Sequence, residues 1–522
     1  MQIQSCATTE EKPFANSQRV FDDLTERLGS GAVLQMTHGE LERLLEKDGR
    51  EVLRQLLQDH LDLRGPGEAC ALVVGSGGIP MPHARPRERR LKTIFGTVTV
   101  SRLGYSAHGE ETLFPRDAEL NLPPELYSHG VQRRAAEEVT KVSFDQAADA
   151  IESTTGTTVP KRQLEEQTAR AAMDFDGFYE TRSADSVRQA GKTGPILALS
   201  TDGKGIVMRP ESLREETRKA AAKRDHKMSK RLSRGEKRNC KRMAQVATVF
   251  TIAAFVRKPE DIVTDLRPVR DTDPAVVRPR PEHKRVWASV AKPPEEVIEQ
   301  MFQEALRRDP AHDKRWVALV DGNPTQLALI KKMAKHHGVE PTIVLDVIHV
   351  LEYLWGAGFA LHGEGDPATQ RWVSERLLEI LRGNSSDVAA GMRRSATLRA
   401  MKASDREAID DCADYLLKYR AYLHYDEYLA AGLPIATGVI EGACRHLVKD
   451  RMDITGACWG LESAEAVLKL RSLRVSADFD AYWAFHESAE HARNHLDLYQ
   501  GAPPPTNLPL KVRSRGHLHV VK

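Results

Sequence analysis

Residues 196–205 read ILALSTDGKG: an apolar run, then one carboxylate, then two glycines around a lysine. A short apolar run bounded by turn residues predicts a strand buried on both faces. Asp202 at its end has an ordinary explanation, because Asp-Gly is a common turn pair. The design recurs downstream, however. WVALVDGNPTQ (316–326) is a second apolar run that ends on Asp321 before Gly-Asn-Pro opens a helix. PTIVLDVIHVLEYLW (341–355) is a third, with Asp346 ending the strand and His349 one turn on. Each aspartate alone suits a turn or a helix N-cap. Three strands ending this way in one sheet point to a site, since α/β sheets bind ligands beyond strand ends.

Working outward, AQVATVFTIAAFV (244–256) and RVWASVA (285–291) supply two more strands, and 293–308 and 324–337 are helical in period. Three early strands followed by alternating helices and strands predict an α/β domain with a mixed sheet over 194–349. Residues 350–432 carry amphipathic helical stretches and read as an all-helical insertion, and 433–485 as further core helices. On the amino side, 1–64 is a helical region, Gly and Pro punctuate 65–88 as a linker, and LKTIFGTVTVSRLGYS (91–106) predicts a β-hairpin bent at Gly96 within a small 89–128 region. Residues 129–185 are helical again. Ser143 precedes one helix, Thr154-Thr155-Gly156 makes a turn, and Lys161 and Arg162 open a second helix. That is a helix-turn-helix outline, and equally that of a helical hairpin that touches no DNA. Residues 486–522 form a basic tail.

Composition narrows the class. The chain has 522 residues, 41% apolar and 29% charged, which is too long for one core and ordinary for a soluble protein. Its formal net charge is only +2, so any polyanion affinity must be local. Six cysteines without a Cys-x-x-Cys pair argue against a zinc ribbon and a disulfide framework. No apolar stretch approaches a membrane span and the first residues lack a signal-peptide pattern, so a cytoplasmic location is expected. The local charge sits at 218–242, where twelve Lys and Arg face two acids. A solvated loop explains such a run, but nucleic-acid contact explains its density better. GKT at 191–193 is not a phosphate loop, because Ser186 stands where the first glycine belongs and a strand follows.

PIATGVIEGACRHLVKDRM (434–452) places Glu441, Arg445 and Lys449 four residues apart, on one face of a regular helix. An ion-pair ladder is one reading. The other is a third carboxylate for Asp202 and Asp321, with two cations beside it for phosphates. Three converging carboxylates suit two-metal phosphodiester transfer, because hard Mg²⁺ ions prefer carboxylate oxygens.

These residues resemble the DDE transposases of bacterial insertion sequences, in the Mutator-like branch and its Kra-type family. The resemblance rests on Asp202, Asp321 and Glu441, on the Asp346-x-x-His349 motif, and on RMDITGACWGLESAEAVLKLRSL (451–473) with Trp459. FPRDAELNLP (114–123) and VSFDQAADAIESTTGTTVPKRQ (142–163) extend it, so it spans about 90–485. It implies a ribonuclease-H-like mixed-sheet core, a mainly helical N-terminal DNA-binding region, and two Mg²⁺ ions, for which Mn²⁺ substitutes. Asp202, Asp321 and Glu441 would be catalytic metal ligands, with Asp346 and His349 in support. The expected partners are double-stranded DNA, as element ends and target, and a second copy in a homodimer or higher oligomer; no membrane is involved and the location is nucleoid-associated. DNA contact is assigned to Lys161 and Arg162, and to Lys223, Arg224, Lys227, Lys230, Arg231, Arg234, Lys237, Arg238, Lys241 and Arg242 in a basic insert at 209–243. Arg445, Lys449, Arg451 and Trp459 join them. The rival expectations are a nuclease on the same core that cuts without strand transfer, and an inactive transposase-derived DNA-binding protein.

Overall fold

The run that begins at Ile196 becomes the central strand of a five-stranded mixed sheet. The structure is a computed structural model and describes residues 13–182, 193–223, 240–265, 277–454 and 456–507. In the sheet, β3 (Ile196–Val207) pairs antiparallel with β4 (Lys241–Ile252), which pairs antiparallel with β5 (Glu282–Ser289). On its other side β3 pairs parallel with β6 (Arg315–Val320), and β6 with β7 (Thr342–Leu345). The spatial order is therefore β5-β4-β3-β6-β7, a mixed α/β arrangement as the pattern predicts. Parallel neighbours need crossovers, and helices Pro294–Arg308 and Pro324–His336 provide them. Each opens on a proline, whose missing N–H costs nothing in a first turn. Val297, Ile298, Met301, Phe302 and Ala305 on the first are fully buried, as are Leu197 and Ala198 on β3.

Two expectations about β3 are corrected. The strand does not stop at Asp202 but runs on to Val207, with Asp202 opposite Val246 and Gly205 opposite Met243. Gly203-Lys204-Gly205 is thus paired strand and not the turn that the Asp-Gly pair suggests. The glycines serve close approach: a Cβ on Gly205 would meet the Lys241 side chain at 2.8 Å, and one on Gly203 would meet Met243 at 3.3 Å. Pairing with β6, by contrast, stops at Ser200. From Thr201 to Ile206 no strand among the described residues pairs with β3 on that side, and beyond it Trp459 bridges Val207 and Arg209.

After β7 the described residues of 350–432 form helices Val347–His362, Pro367–Leu381, Ser385–Leu398, Ala403–Lys418 and Tyr425–Ala430, with no strand among them.

The chain divides into two compact units, Met1–Asp174 with Asp480–Lys522, and Phe175–Phe479. The first holds the hairpin, whose strands β1 (His83–Thr93) and β2 (Gly96–Ser106) turn at Gly96 with φ 125°. Leu57 and Leu61 of helix His38–Arg64 pack on Leu91, Val98 and Val100 of the hairpin. The 65–88 stretch is not a free linker: Val73 and Met81 are buried with Tyr105, Leu113 and Tyr499. Nor does a tail begin at 486, because helix Phe479–Asn494 buries His486 and Glu490. Polar residues there face partners within the fold, which a composition-based reading takes for solvent.

Candidate active site

Asp321 is the first residue beyond β6, and its Oδ1 accepts the Asn323 N–H at 2.7 Å. Gly322 between them has φ 90°, a left-handed conformation that glycine adopts without strain. Asn323 then caps the next helix by accepting from Thr325 and Gln326 N–H. Two tyrosines of the helical region hold this turn from outside, Tyr415 donating to the Asp321 carbonyl at 3.0 Å and Tyr419 to that of Gly322.

Asp346 follows β7 in the same way, with its N–H on the Val320 carbonyl at 2.8 Å. It is fully buried, and its carboxylate accepts from Ile348 N–H, Thr437 N–H and the Thr437 hydroxyl. Val347 N–H also donates to the Ile435 carbonyl at 3.0 Å. The 435–437 segment is thereby tied to the end of β7, and Thr437 opens helix Gly438–Ala443, which carries Glu441. Three residues on from Glu441, the Cys444 thiol donates to Asp202 Oδ2 at 3.1 Å. Asp202 Oδ1 accepts its neighbour's N–H, from Gly203, at 2.6 Å.

The carboxylates feel one another. Burial raises the pKa of Asp321, and the charge on Asp202 raises it further. Glu441 is raised by burial first, then by Asp346, Glu352 and Asp202, while His349 pulls it down. For His349, burial acts to lower the pKa, but the hydrogen bond to Glu352 and the charges of Asp346, Glu352 and Asp321 overcome it and leave it raised. Nδ1 of His349 lies 3.0 Å from Glu352 Oε2. The cluster therefore carries more negative charge than its single imidazole offsets.

Asp346, His349 and Glu441 each offer a ligand atom, all within 4.8 Å of one another, a group able to hold a metal ion. Asp346 has the least to give, since protein donors already occupy both its oxygens. A cavity of about 890 Å³ opens beside the site, walled by Asp321, His349, Glu352, Tyr353 and Tyr415. A second such group, Asp174, His486 and Glu490, lies in the first unit. Its oxygens are already engaged: Glu490 accepts from Arg170 and Arg493, and Asp174 from Arg493 and His486. It is better suited to an ion-pair network than to a metal.

The residues assigned to DNA fare differently. Lys161 and Arg162 are exposed, on a helix that follows Gly156, and pair with Asp145 and Glu166. Arg224, Lys227, Lys230, Arg231, Arg234, Lys237 and Arg238 lie outside the described residues, while Lys223 is exposed at a helix end. Arg242 is corrected to a structural role: it sits in β4 and donates to the carbonyls of Val290, Ser212 and Ala291, with Lys241 beside it in the same strand. Arg451 and Trp459 are also corrected. Both are buried, the guanidinium lies 4.7 Å over the indole, and Trp459 bonds to Val207 and Arg209 through its backbone at the end of β3. Arg445 and Lys449 are exposed, but Cys444–Lys449 is a π-helix, so a four-residue ladder from Glu441 does not run through it.

Thr437, Cys444, Glu352 and the pair Tyr415 and Tyr419 were missed in the sequence reading. Only Glu352 had a local signal, three residues after His349 on a helix.

No protein-family model matches this chain, and no curated protein is detectably similar to it in sequence.

Proposed function

We propose that this chain is a Mg²⁺-dependent DNA transposase with a ribonuclease-H-like core, into which 350–432 is inserted. The observation that carries the reading is that Asp202 lies on β3 just beyond its pairing with β6, Asp321 directly follows β6, and Cys444, three residues after Glu441, bonds to Asp202. The charge on Asp202 adds to burial in raising the pKa of both Asp321 and Glu441, an electrostatic cost that a bound divalent cation removes. This donor set of carboxylate oxygens fits Mg²⁺ or Mn²⁺. Bound there, two such ions would activate water or a 3′-hydroxyl and offset charge on the phosphate under attack.

The chain's own groups have separable roles. Asp202, Asp321 and Glu441 would supply the ligand oxygens. Asp346 positions Glu441 through Thr437 instead of reacting. His349 keeps Nδ1 against Glu352, so any group it serves is met by Nε2, and its raised pKa favours the imidazolium near phosphate. We assign DNA recognition to 129–185 with Lys161 and Arg162 and to the basic insert, and the reaction to a dimer or larger assembly on element ends in the cytoplasm, at the nucleoid. Among the described residues no helix is long and apolar enough to cross a membrane.

The test is incubation of the protein with Mg²⁺ or Mn²⁺ and labelled duplex carrying the element's own ends. Joined products are expected. Nicks without joining would establish the nuclease instead, and DNA binding without cutting in either metal would leave a transposase-derived DNA-binding protein. Asp202→Asn or Glu441→Gln variants that cut as well as the parent would falsify the site.

A further inference from the structure

A second distinctive cluster lies in the same unit, away from the carboxylates. Arg285 on β5 pairs with Val249, which pairs with Leu199, so the cluster sits toward the amino end of β3 and not beside Asp202. A cavity of about 430 Å³ is lined there by Arg182, Lys284, Arg285, Arg307 and Arg308, with Glu304 and Asp478 as the acids. Glu304 alone accepts from three guanidinium groups: Arg285 at 2.5 Å, Arg307 at 3.3 Å and Arg308 at 2.8 Å. Asp478 is taken by Arg182 at 3.0 Å and by the Tyr179 hydroxyl at 2.9 Å. Even with Glu180 counted near Arg307, five cations face three carboxylates.

A purely structural clamp between β5 and helix Pro294–Arg308 explains Glu304 and the arginines it binds. It does not explain the surplus of positive charge, which is costly where water is partly excluded. Arg285 is almost fully buried, stacked 3.5 Å over Tyr179 and 4.5 Å over Trp287. Lys284 is exposed and makes no hydrogen bond or ion pair among the described residues. Burial lowers the pKa of both Arg307 and Arg308, and the Glu304 charge offsets only part of that. Two lining residues, His283 and Ala477, hold left-handed backbone at φ 47° and 60°, uncommon for an alanine and less so for a histidine.

We propose that this cavity is a phosphate-binding site, in which Lys284 and Arg182 meet the oxygens of a phosphate group and the buried arginines supply the field. Guanidinium forks match multi-oxygen anions, and the surplus charge suits a group bearing more than one negative charge. The phosphate comes either from a small polyphosphate-bearing molecule or from a DNA backbone. The inference stands whether or not the distant carboxylates cut DNA.

Inorganic pyrophosphate titrated into the full chain at constant ionic strength, read by calorimetry and thermal shift, tests the first source. Saturable binding is expected, weakened about tenfold in Lys284→Gln, the loss of one charge-assisted contact. Duplex DNA titrated over a range of salt tests the second, with the log–log salt slope of Lys284→Gln expected to fall by about 1. Lys284 is exposed and outside the Glu304 clamp, so circular dichroism should show the parent fold. A response in the first arm assigns a free polyphosphate, and a response in the second alone assigns the backbone. No saturable pyrophosphate binding by the wild type together with an unchanged salt slope overturns the proposal.

Discussion

Asp321 holds its charge against its surroundings. Burial and Asp202 both favour its protonated form, so the folded state binds that proton more tightly than the unfolded chain does. The sign follows: stability falls as pH rises from the ordinary carboxylate range through the raised pKa, and the full penalty is present above it. Asp321→Asn keeps the Oδ1 that accepts from Asn323 and removes the charge. It should raise the metal-free melting temperature at pH 7 by a few degrees, as ~1 kcal/mol would, while abolishing cleavage. Added Mg²⁺ should stabilise the parent and not the variant in the same thermal scan. A variant that melts below the parent would show that the repulsion is not there.

At the scale of elements, the Glu441 helix is held by one buried carboxylate and one threonine. Thr437→Val deletes the hydroxyl that donates to Asp346 in a place closed to water. The carboxylate keeps the N–H groups of Ile348 and Thr437 on Oδ1, but losing the hydroxyl on its buried Oδ2 costs about 2–3 kcal/mol, so urea unfolding should shift by that amount. Cleavage should fall with it, because Glu441 loses its anchor; Thr437→Ser, which keeps the hydroxyl, should recover both. Loss of stability without loss of cleavage would separate Asp346 from the site. The π-helix that follows is part of the same device. Its wider turn puts Cys444 against Asp202, while Leu447 and Val448 stay buried.

For the molecule as a whole, each unit carries its own electrostatic anchor. In the first unit Glu490 is fully buried between Arg170 and Arg493. Burial alone would raise its pKa, but the arginine hydrogen bonds dominate and lower it from 4.5 to about 2. A depressed carboxylate contributes stability above its unfolded pKa and loses it as pH falls through its folded value. The Glu490 contribution, about 3 kcal/mol, should therefore be present at pH 7 and vanish between pH 4.5 and about 2. Glu490→Gln should cost a comparable amount at pH 7 and flatten the acid limb of the stability curve, as read by denaturant unfolding. An equal acid limb in parent and variant would show that this network is not what acid breaks.

Local pattern by itself determined the strands of the mixed sheet, the hairpin at Gly96, and the candidacy of Asp202, Asp321 and Asp346. Apolar runs, prolines and Asp-Gly pairs act on their own neighbours, so a linear reading finds them. It ended β3 too early, because Gly203-Lys204-Gly205 looks like a turn until β4 lies alongside. It sent Arg451 and Trp459 to DNA, because burial depends on a strand end far away in sequence. Only the tertiary structure set Thr437 on Asp346, Cys444 on Asp202, and Arg285, Arg307 and Arg308 around Glu304. Except for the helical turn shared by Glu304, Arg307 and Arg308, these contacts join distant residues, and hydrogen bonds and charge pairs across such separations leave no periodic trace in the chain.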